Sequence, residues 1–345
     1  MSMQSKSKSK IHIATSSQYP QGNADLRDLL DSLRRMRMEC DFLVWGERGV
    51  CRGNLLLSLA VWDYSSNPTN FLAWLKDLEE SGVKILNPLA TIQKNINKRY
   101  LLDLQERGIP IIPSEFIEYD NLKNKDLRGK VLKPVIGQSG MGVERGEKAD
   151  FSHYPQGVII QPFIPSIQES GEVCFVFFGG EFRYSILRKP KEWRANSKYG
   201  VEISLIEAKK EWIDLAYQAL DGIEYFYARV DLFIQPLLIS EVELIEPALY
   251  FSHSPYSLEL FKISLQKFFK DSYKKIIFLQ ILASIPHTTL QMQKQKNNTS
   301  LQNPPLEVFL KKEQKIQSLQ AKRSYLFSHK IQTNSSFFYK AQAEQ

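Results

Sequence analysis

Residues Val131–Glu144 read VLKPVIGQSGMGVE. An apolar run ends in a lysine, Lys133, and Gly137, Gly140 and Gly142 then fall within six residues of one another. Glycine reaches positive φ without steric cost, so these three could make nothing more than a tight hairpin turn. They could equally present bare backbone N–H groups, with Gln138, Ser139 and Met141 between them, as a nest around phosphate oxygens. No Gly-Lys-Ser/Thr ends the run, so it is not a P-loop. The following VERGEKAD does not open a helix, so it is not the dinucleotide fingerprint either. The pattern fits a mobile loop joining two antiparallel strands, with Lys133 on the first of them.

Upstream, IHIATSS, DFLVW and GNLLLSLAVWDY read as strands. NADLRDLLDSLRRMRM, with Leu26, Leu29, Leu30 and Leu33 at helical spacing, and PTNFLAWLKDLEESG read as helices. Asn23 or Asp25 caps the first helix, and Gly82 closes the second before a further strand. Alternating strands and helices predict an α/β unit with a mostly parallel sheet, residues 1–89. TIQKNINKRYLLDLQERG reads as one helix that carries Lys94 and Lys98 and stops at Gly108. Downstream the hairpins dominate. They predict two small α+β lobes, 90–157 with the glycine loop and 158–262 beyond it, each a sheet with a helix on one face.

The sequence has 345 residues, 43% of them hydrophobic, and no apolar run of membrane-spanning length, so a cytoplasmic protein is expected. Cys40, Cys51 and Cys174 are odd in number and widely spaced, which suggests reduced, structural thiols rather than disulfides or a zinc cluster. The net charge of +7 is unevenly held: eleven Lys or Arg against three Glu follow Tyr273, leaving residues 1–272 at −1. Residues 263–345 therefore read as a basic, Gln- and Lys-rich, loosely ordered tail. KKIIFLQILASI within it is plausible as an amphipathic helix, and without an aromatic platform the charge is a poor argument for nucleic acid.

Asp231 in YARVDLF and Glu241 and Glu243 in SEVELIEP are the acidic candidates. Residues two apart share a strand face, so pairing of the two segments through a turn near IQPL would bring three carboxylates together. Such a trio repels itself unless cations share the site, and an oxygen-rich set suits Mg²⁺. A solvated acidic sheet face is the plainer alternative. In VIIQPFIP the strand ends at a proline and leaves groups near Gln161 and Phe163 open to a ligand edge. The five histidines form no constellation for nucleophilic catalysis, and His153 and His253 read as surface or loop residues.

With NKRYLLDLQERGIPIIPSEFI, VIIQPFIPSIQESGE and the hairpin FVFFGGEFRYSILRKPKEWRANSKYG, these motifs resemble the ATP-grasp superfamily over roughly residues 11–262. The likeness is to its glutathione-synthetase-like and ribosomal-protein glutamate-ligase-like branch, near the cycloserine-forming cyclo-ligases that share WDY…FLAWL and ELIEP. The resemblance implies an N-terminal substrate domain and two lobes clasping ATP. It implies that Lys98 and Lys133 contact the phosphates and that Gly137, Gln138, Ser139, Gly140, Met141 and Gly142 close over them. Gln161, Phe163 and Ile164 would hold adenine and Glu172 the ribose. Arg194, assisted by Arg188, would stand with Lys133 at the transferred phosphate. Asp231, Glu241 and Glu243 would bind Mg²⁺, with Mn²⁺ as the alternate ion. The implied reaction activates a carboxylate as an acyl phosphate, which an amine attacks. A small amino-acid-like substrate is expected; tagging of a peptide or protein, or an inactive nucleotide-binding module, is the alternative, and a homo-oligomer is left open. The chain departs from the pattern at the apolar SLA and Val61 before Trp62, at Glu243 where many relatives have Asn, and in the tail.

Overall fold

The computed structural model describes residues 10–195 and 200–284. Its first sheet is built from β1 (Ile11–Thr15), β2 (Cys40–Val44), β3 (Leu55–Ala60) and β4 (Lys84–Leu86), in the order β2-β1-β3-β4 with every pair parallel. Helices α1 (Ala24–Arg35) and α2 (Pro68–Glu80) supply the crossovers. Asn23 caps α1, its Oδ1 accepting from Leu26 N at 3.0 Å. The apolar spacing read in α1 is its buried face, because Leu26, Leu29, Leu30 and Leu33 are all at most 5% exposed.

The segment read as one helix is two, α3 (Leu89–Asn95) and α4 (Tyr100–Glu106). Hydrogen bonds from side chains and neighbouring strands compete with the helical ladder at the break. Asn95 Nδ2 donates to Val242 O at 2.8 Å while its Oδ1 accepts from Leu244 N at 2.9 Å. Lys98 N donates to Val135 O at 2.7 Å, and Asn97 Oδ1 accepts from Arg99 N at 3.0 Å. Lys98 therefore lies in a fixed turn, not on a solvated helix face.

A second sheet runs β5-β8-β6-β7, from β5 (Glu115–Ile117), β6 (Lys130–Pro134), β7 (Glu144–Arg145) and β8 (Val158–Pro162). β8 pairs along the whole of β6, so it belongs with the glycine-loop lobe and the boundary expected at 157 moves beyond Pro162. After the short α5 (Ile167–Ser170), a third sheet is formed by β9 (Glu172–Phe178), β10 (Glu181–Pro190), β11 (Val201–Ile206), β12 (Tyr227–Ile234) and β13 (Leu237–Glu243), in the order β11-β10-β9-β12-β13 and fully antiparallel. Helix α6 (Lys210–Leu220) covers one face with Leu215, Ala216, Ala219 and Leu220. The apolar end of the other face, including Cys174, Val176, Phe178 and Tyr227, packs with residues of the N-terminal sheet.

Helix α7 (Ser257–Ser284) corrects the reading of a loose tail beginning at 263. That boundary falls inside a helix whose Phe261 and Leu265 are fully buried, and the helix continues through most of KKIIFLQILASI. The rest of the expected tail lies outside the described residues. No described helix is long and apolar enough to cross a membrane. All three cysteines are free; Cys40 and Cys174 are buried as structural thiols would be, but Cys51 is exposed.

Candidate active site

The polar end of the third sheet's inner face is a cross-strand array. In the β12–β13 register Asp231 stands opposite Glu241 and Arg229 opposite Glu243. On the other side Glu172 of β9 faces Arg188 of β10. The side-chain period of two puts all six on one face. One oxygen from each of Asp231, Glu241 and Glu243 lies within 4.8 Å of the others, so the hairpin does bring the acidic trio together.

The three carboxylates are not alike. Asp231 is fully buried and is held by Arg229 at 2.8 and 2.9 Å and by Arg188 at 2.7 Å. Burial alone would raise its pKa, but the two guanidiniums bring it below the ordinary carboxylate value. Glu241 is likewise lowered against its burial, by Lys98, with which it is ion-paired, and by Lys133. Glu243 is raised by burial beside Glu241 and Asp231, although Arg229 bonds it at 2.6 Å. The first two are settled anions, and the third is short of positive charge. That shortage, with three oxygens so close, fits a divalent cation.

Lys98 and Lys133 reach the same place from the second sheet's side. The pKa of Lys98 is raised despite burial because Glu241 pairs with it. Burial lowers that of Lys133, and among the described residues it has no ion pair. A half-buried ammonium lining an open cleft is suited to receive an anion.

The glycine loop arches over this cleft. Ser139 and Gly140 both take left-handed φ, 54° and 67°, which turns successive amides to one side. Gln138 ties the loop down, Nε2 donating to Trp62 O at 2.6 Å. Together with Lys98, Lys133, Gln161, Phe163, Ile164, Glu172, Arg188, Arg194, Glu241 and Glu243, the loop residues Gly137, Gln138, Ser139, Gly140 and Met141 line one cleft of about 920 Å³. Gly142 is the exception. It faces a neighbouring hollow of about 380 Å³, and a Cβ there would sit 2.7 Å from Pro134 Cγ. At φ 68° its part is to turn the chain, not to offer an amide to the cleft. His153 is a surface residue, 3.2 Å from Glu144.

At the far end Gln161 is 2% exposed, and its Nε2 donates to Ser114 Oγ at 2.9 Å; Ser114 Oγ in turn donates to Ile112 O at 2.7 Å. That chain fixes the amide so that Oε1 is the atom left to accept. Arg145 lies over the Phe163 ring, 3.8 Å from its centroid.

Sequence reasoning missed Arg229, although its parity with Asp231 in YARVDLF was the available signal. It also missed Tyr250, which accepts from Arg188 Nη1 at 3.3 Å, and Ser240, whose single hydroxyl proton lies between Glu172 and Asp231 O, both within hydrogen-bond reach. Their segments carry no spacing that would have singled them out.

Comparison with solved structures gives this arrangement a fold. The crystal structure of D-cycloserine synthetase DcsG superposes with a TM-score of 0.64 at 20% identity, covering 74% of this chain and 98% of that one. The ATP-grasp ligase PsnB, complexed with a minimal precursor, superposes with a TM-score of 0.51 at 14% identity, covering 75% and 99%. The chain has the ATP-grasp fold. Residues 11–87 match the family model described as the N-terminal domain of D-cycloserine synthetase DcsG. By sequence, the cycloserine biosynthesis protein DcsG of Streptomyces lavendulae is 23% identical over 188 residues, 47% of this chain and 61% of that protein. The alpha-aminoadipate–LysW ligase LysX of Sulfurisphaera tokodaii is 27% identical over 183 residues, 48% and 64%. The matches thus span less than two thirds of these relatives' lengths. In ATP-grasp terms the cleft lies between the glycine-loop lobe and the lobe of β9–β13, with the N-terminal domain closing one end.

Proposed function

We propose that the protein is an ATP- and Mg²⁺-dependent carboxylate–amine ligase acting on a small amino-acid-like substrate. One observation carries the reading: Lys98 and Lys133 from one lobe and Glu241 and Glu243 from the other line one cleft beneath the glycine loop, with Asp231 of the same acidic cluster buried behind them. Phosphoryl transfer asks mainly for positioning and neutralisation of charge, which this set offers.

Lys98 and Lys133 would bind phosphate oxygens, Lys133 having charge to spare, while the amides of residues 137–141 cover them. Gln161 would accept from the exocyclic amine of adenine, beside Phe163 and Ile164. Arg188 and Arg194 would stabilise charge on the transferred group, Arg188 being held in place by Glu172 and Asp231. Glu241 and Glu243, backed by Asp231, would hold Mg²⁺, which neutralises phosphate oxygens when bound; Mn²⁺ has the same charge and oxygen preference and would substitute. A cleft of about 920 Å³ has room for a nucleotide and a small second molecule, against roughly 300–1,000 Å³ for ordinary ligand sites.

The name of LysX supports a second reading in which the acceptor is a partner protein. An ADP-release screen over amino acids of both configurations, with Mg·ATP, tests the proposal. We expect at least one amino acid to raise ADP release about tenfold or more above background, and the same stimulation after deletion of residues 273–345. Background rates across the whole panel would overturn it.

A further inference from the structure

The N-terminal end of the cleft carries chemistry that a nucleotide does not use. In the order β2-β1-β3-β4 the chain winds outward in opposite directions from β1 and β3. Open parallel sheets bind ligands in the crevice at the carboxyl ends of such strands. Here the segment after β1 brings Tyr19, and the segment after β3 brings Trp62, to one wall, their rings edge to face with centroids 5.5 Å apart. Both line the cleft.

The chain leaving β13 is fastened to the end of β3. Ser58 Oγ donates to Ile245 O at 2.9 Å, and Tyr227 OH donates to the same oxygen at 3.1 Å. Glu246 comes next in sequence and lines the cleft, yet among the described residues its carboxyl meets no hydrogen-bond or ion-pair partner. Burial, with Glu243 and Glu241 beside it, pushes its pKa well up even though Lys98 and Arg229 oppose the shift from a distance. An independent observation points the same way. Gln138 is 6% exposed and lines the cleft; its Nε2 is spent on Trp62 O, while its Oε1 meets no partner. Asp63, the other acid of this region, is already occupied by Trp45 Nε1 and by Ser17 Oγ at 3.5 Å, and it does not line the cleft.

A carboxyl, a buried amide oxygen and two aromatic rings attract one kind of group, a cation that donates hydrogen bonds. We propose that this crevice binds the second substrate through a protonated amine, held by Glu246 and Gln138 Oε1 beside the Trp62 and Tyr19 rings, and that Glu246 selects amine-bearing acids over their hydroxy and desamino counterparts. The inference rests on the ligase reading, which supplies the nucleotide in the other half of the cleft.

The test is calorimetry and ADP release on the full chain saturated with Mg·ADP or Mg·ATP. The probes are the amino acids of both configurations, with the matching 2-hydroxy and desamino acids, each at up to 10 mM. The inference expects binding or stimulation only from the amine-bearing set. It expects Glu246→Gln to weaken that binding at least tenfold with Mg·ADP affinity unchanged, and Tyr19→Ala, at a 54% exposed position that tolerates truncation, to weaken it about threefold. Equal response to the hydroxy or desamino acids, no response to any amine, or full affinity in both variants overturns the inference while leaving the ligase reading to Mg·ATP binding. A Glu246→Gln defect that excess Mg²⁺ repairs also overturns it, by making Glu246 a metal ligand. Failure to bind Mg·ATP in the wild type ends the ligase reading and this inference with it.

Discussion

At the scale of single residues the site works by fixing atoms that could otherwise turn. Gln161 is the clearest case: an amide can flip, and only one orientation presents an acceptor to an amine. Ser114 makes the choice, because its hydroxyl proton is committed to Ile112 O and its oxygen can then only accept from Gln161 Nε2. Ser114→Ala should leave the amide free to turn and raise the Kd for Mg·ATP about fivefold to tenfold, roughly 1 kcal/mol, with little change in affinity for inorganic triphosphate. An unchanged Mg·ATP affinity by calorimetry would remove Gln161 from the base site. Arg229 works in the same way on the acids. By saturating Asp231 it leaves Glu241 and Glu243 as the carboxylates nearer the cleft.

At the scale of elements the decisive feature is a helix that does not form. The apolar spacing of Ile92, Ile96, Tyr100, Leu101 and Leu104 is helical throughout, and Ile92, Ile96, Leu101 and Leu104 are indeed buried. Periodicity therefore registered the buried stripe correctly. It could not register that Asn95 takes β13 and the residue after it as partners, since those groups are almost 150 positions away in sequence. The break places Lys98 at Glu241. Asn95→Ala should cost about 2–3 kcal/mol in urea unfolding, by stranding a buried carbonyl and amide, and should also weaken Mg·ATP binding through the displaced Lys98. Loss of stability without loss of nucleotide affinity would show that the turn does not position the lysine. The same limit explains β8: its residues read plainly as a strand, but which sheet it joins is decided by the register with β6. The hairpin of Asp231 and Glu241 was legible because parity and a short turn are local properties.

At the scale of the molecule, three sheets converge on one cleft because buried polar clamps hold the N-terminal domain against the last lobe. Asn87 is 1% exposed, adopts a left-handed φ of 65°, donates at 2.7 Å to both Tyr227 O and Leu244 O, and accepts from Phe226 N and Tyr227 N. No sequence pattern announces such a residue. The resemblance of the motif set to ATP-grasp ligases made the fold legible across these gaps, because the order of motifs encodes the clasp that local periodicity cannot. The central claim is that Lys133 and Glu241, more than a hundred residues apart, serve one triphosphate. Calorimetric titration of the full chain with Mg·ATP tests it most directly. The account predicts saturable binding that weakens at least about thirtyfold, roughly 2 kcal/mol, in both Lys133→Ala and Glu241→Ala, with melting midpoints near that of the wild type. Wild-type affinity in either variant would contradict it.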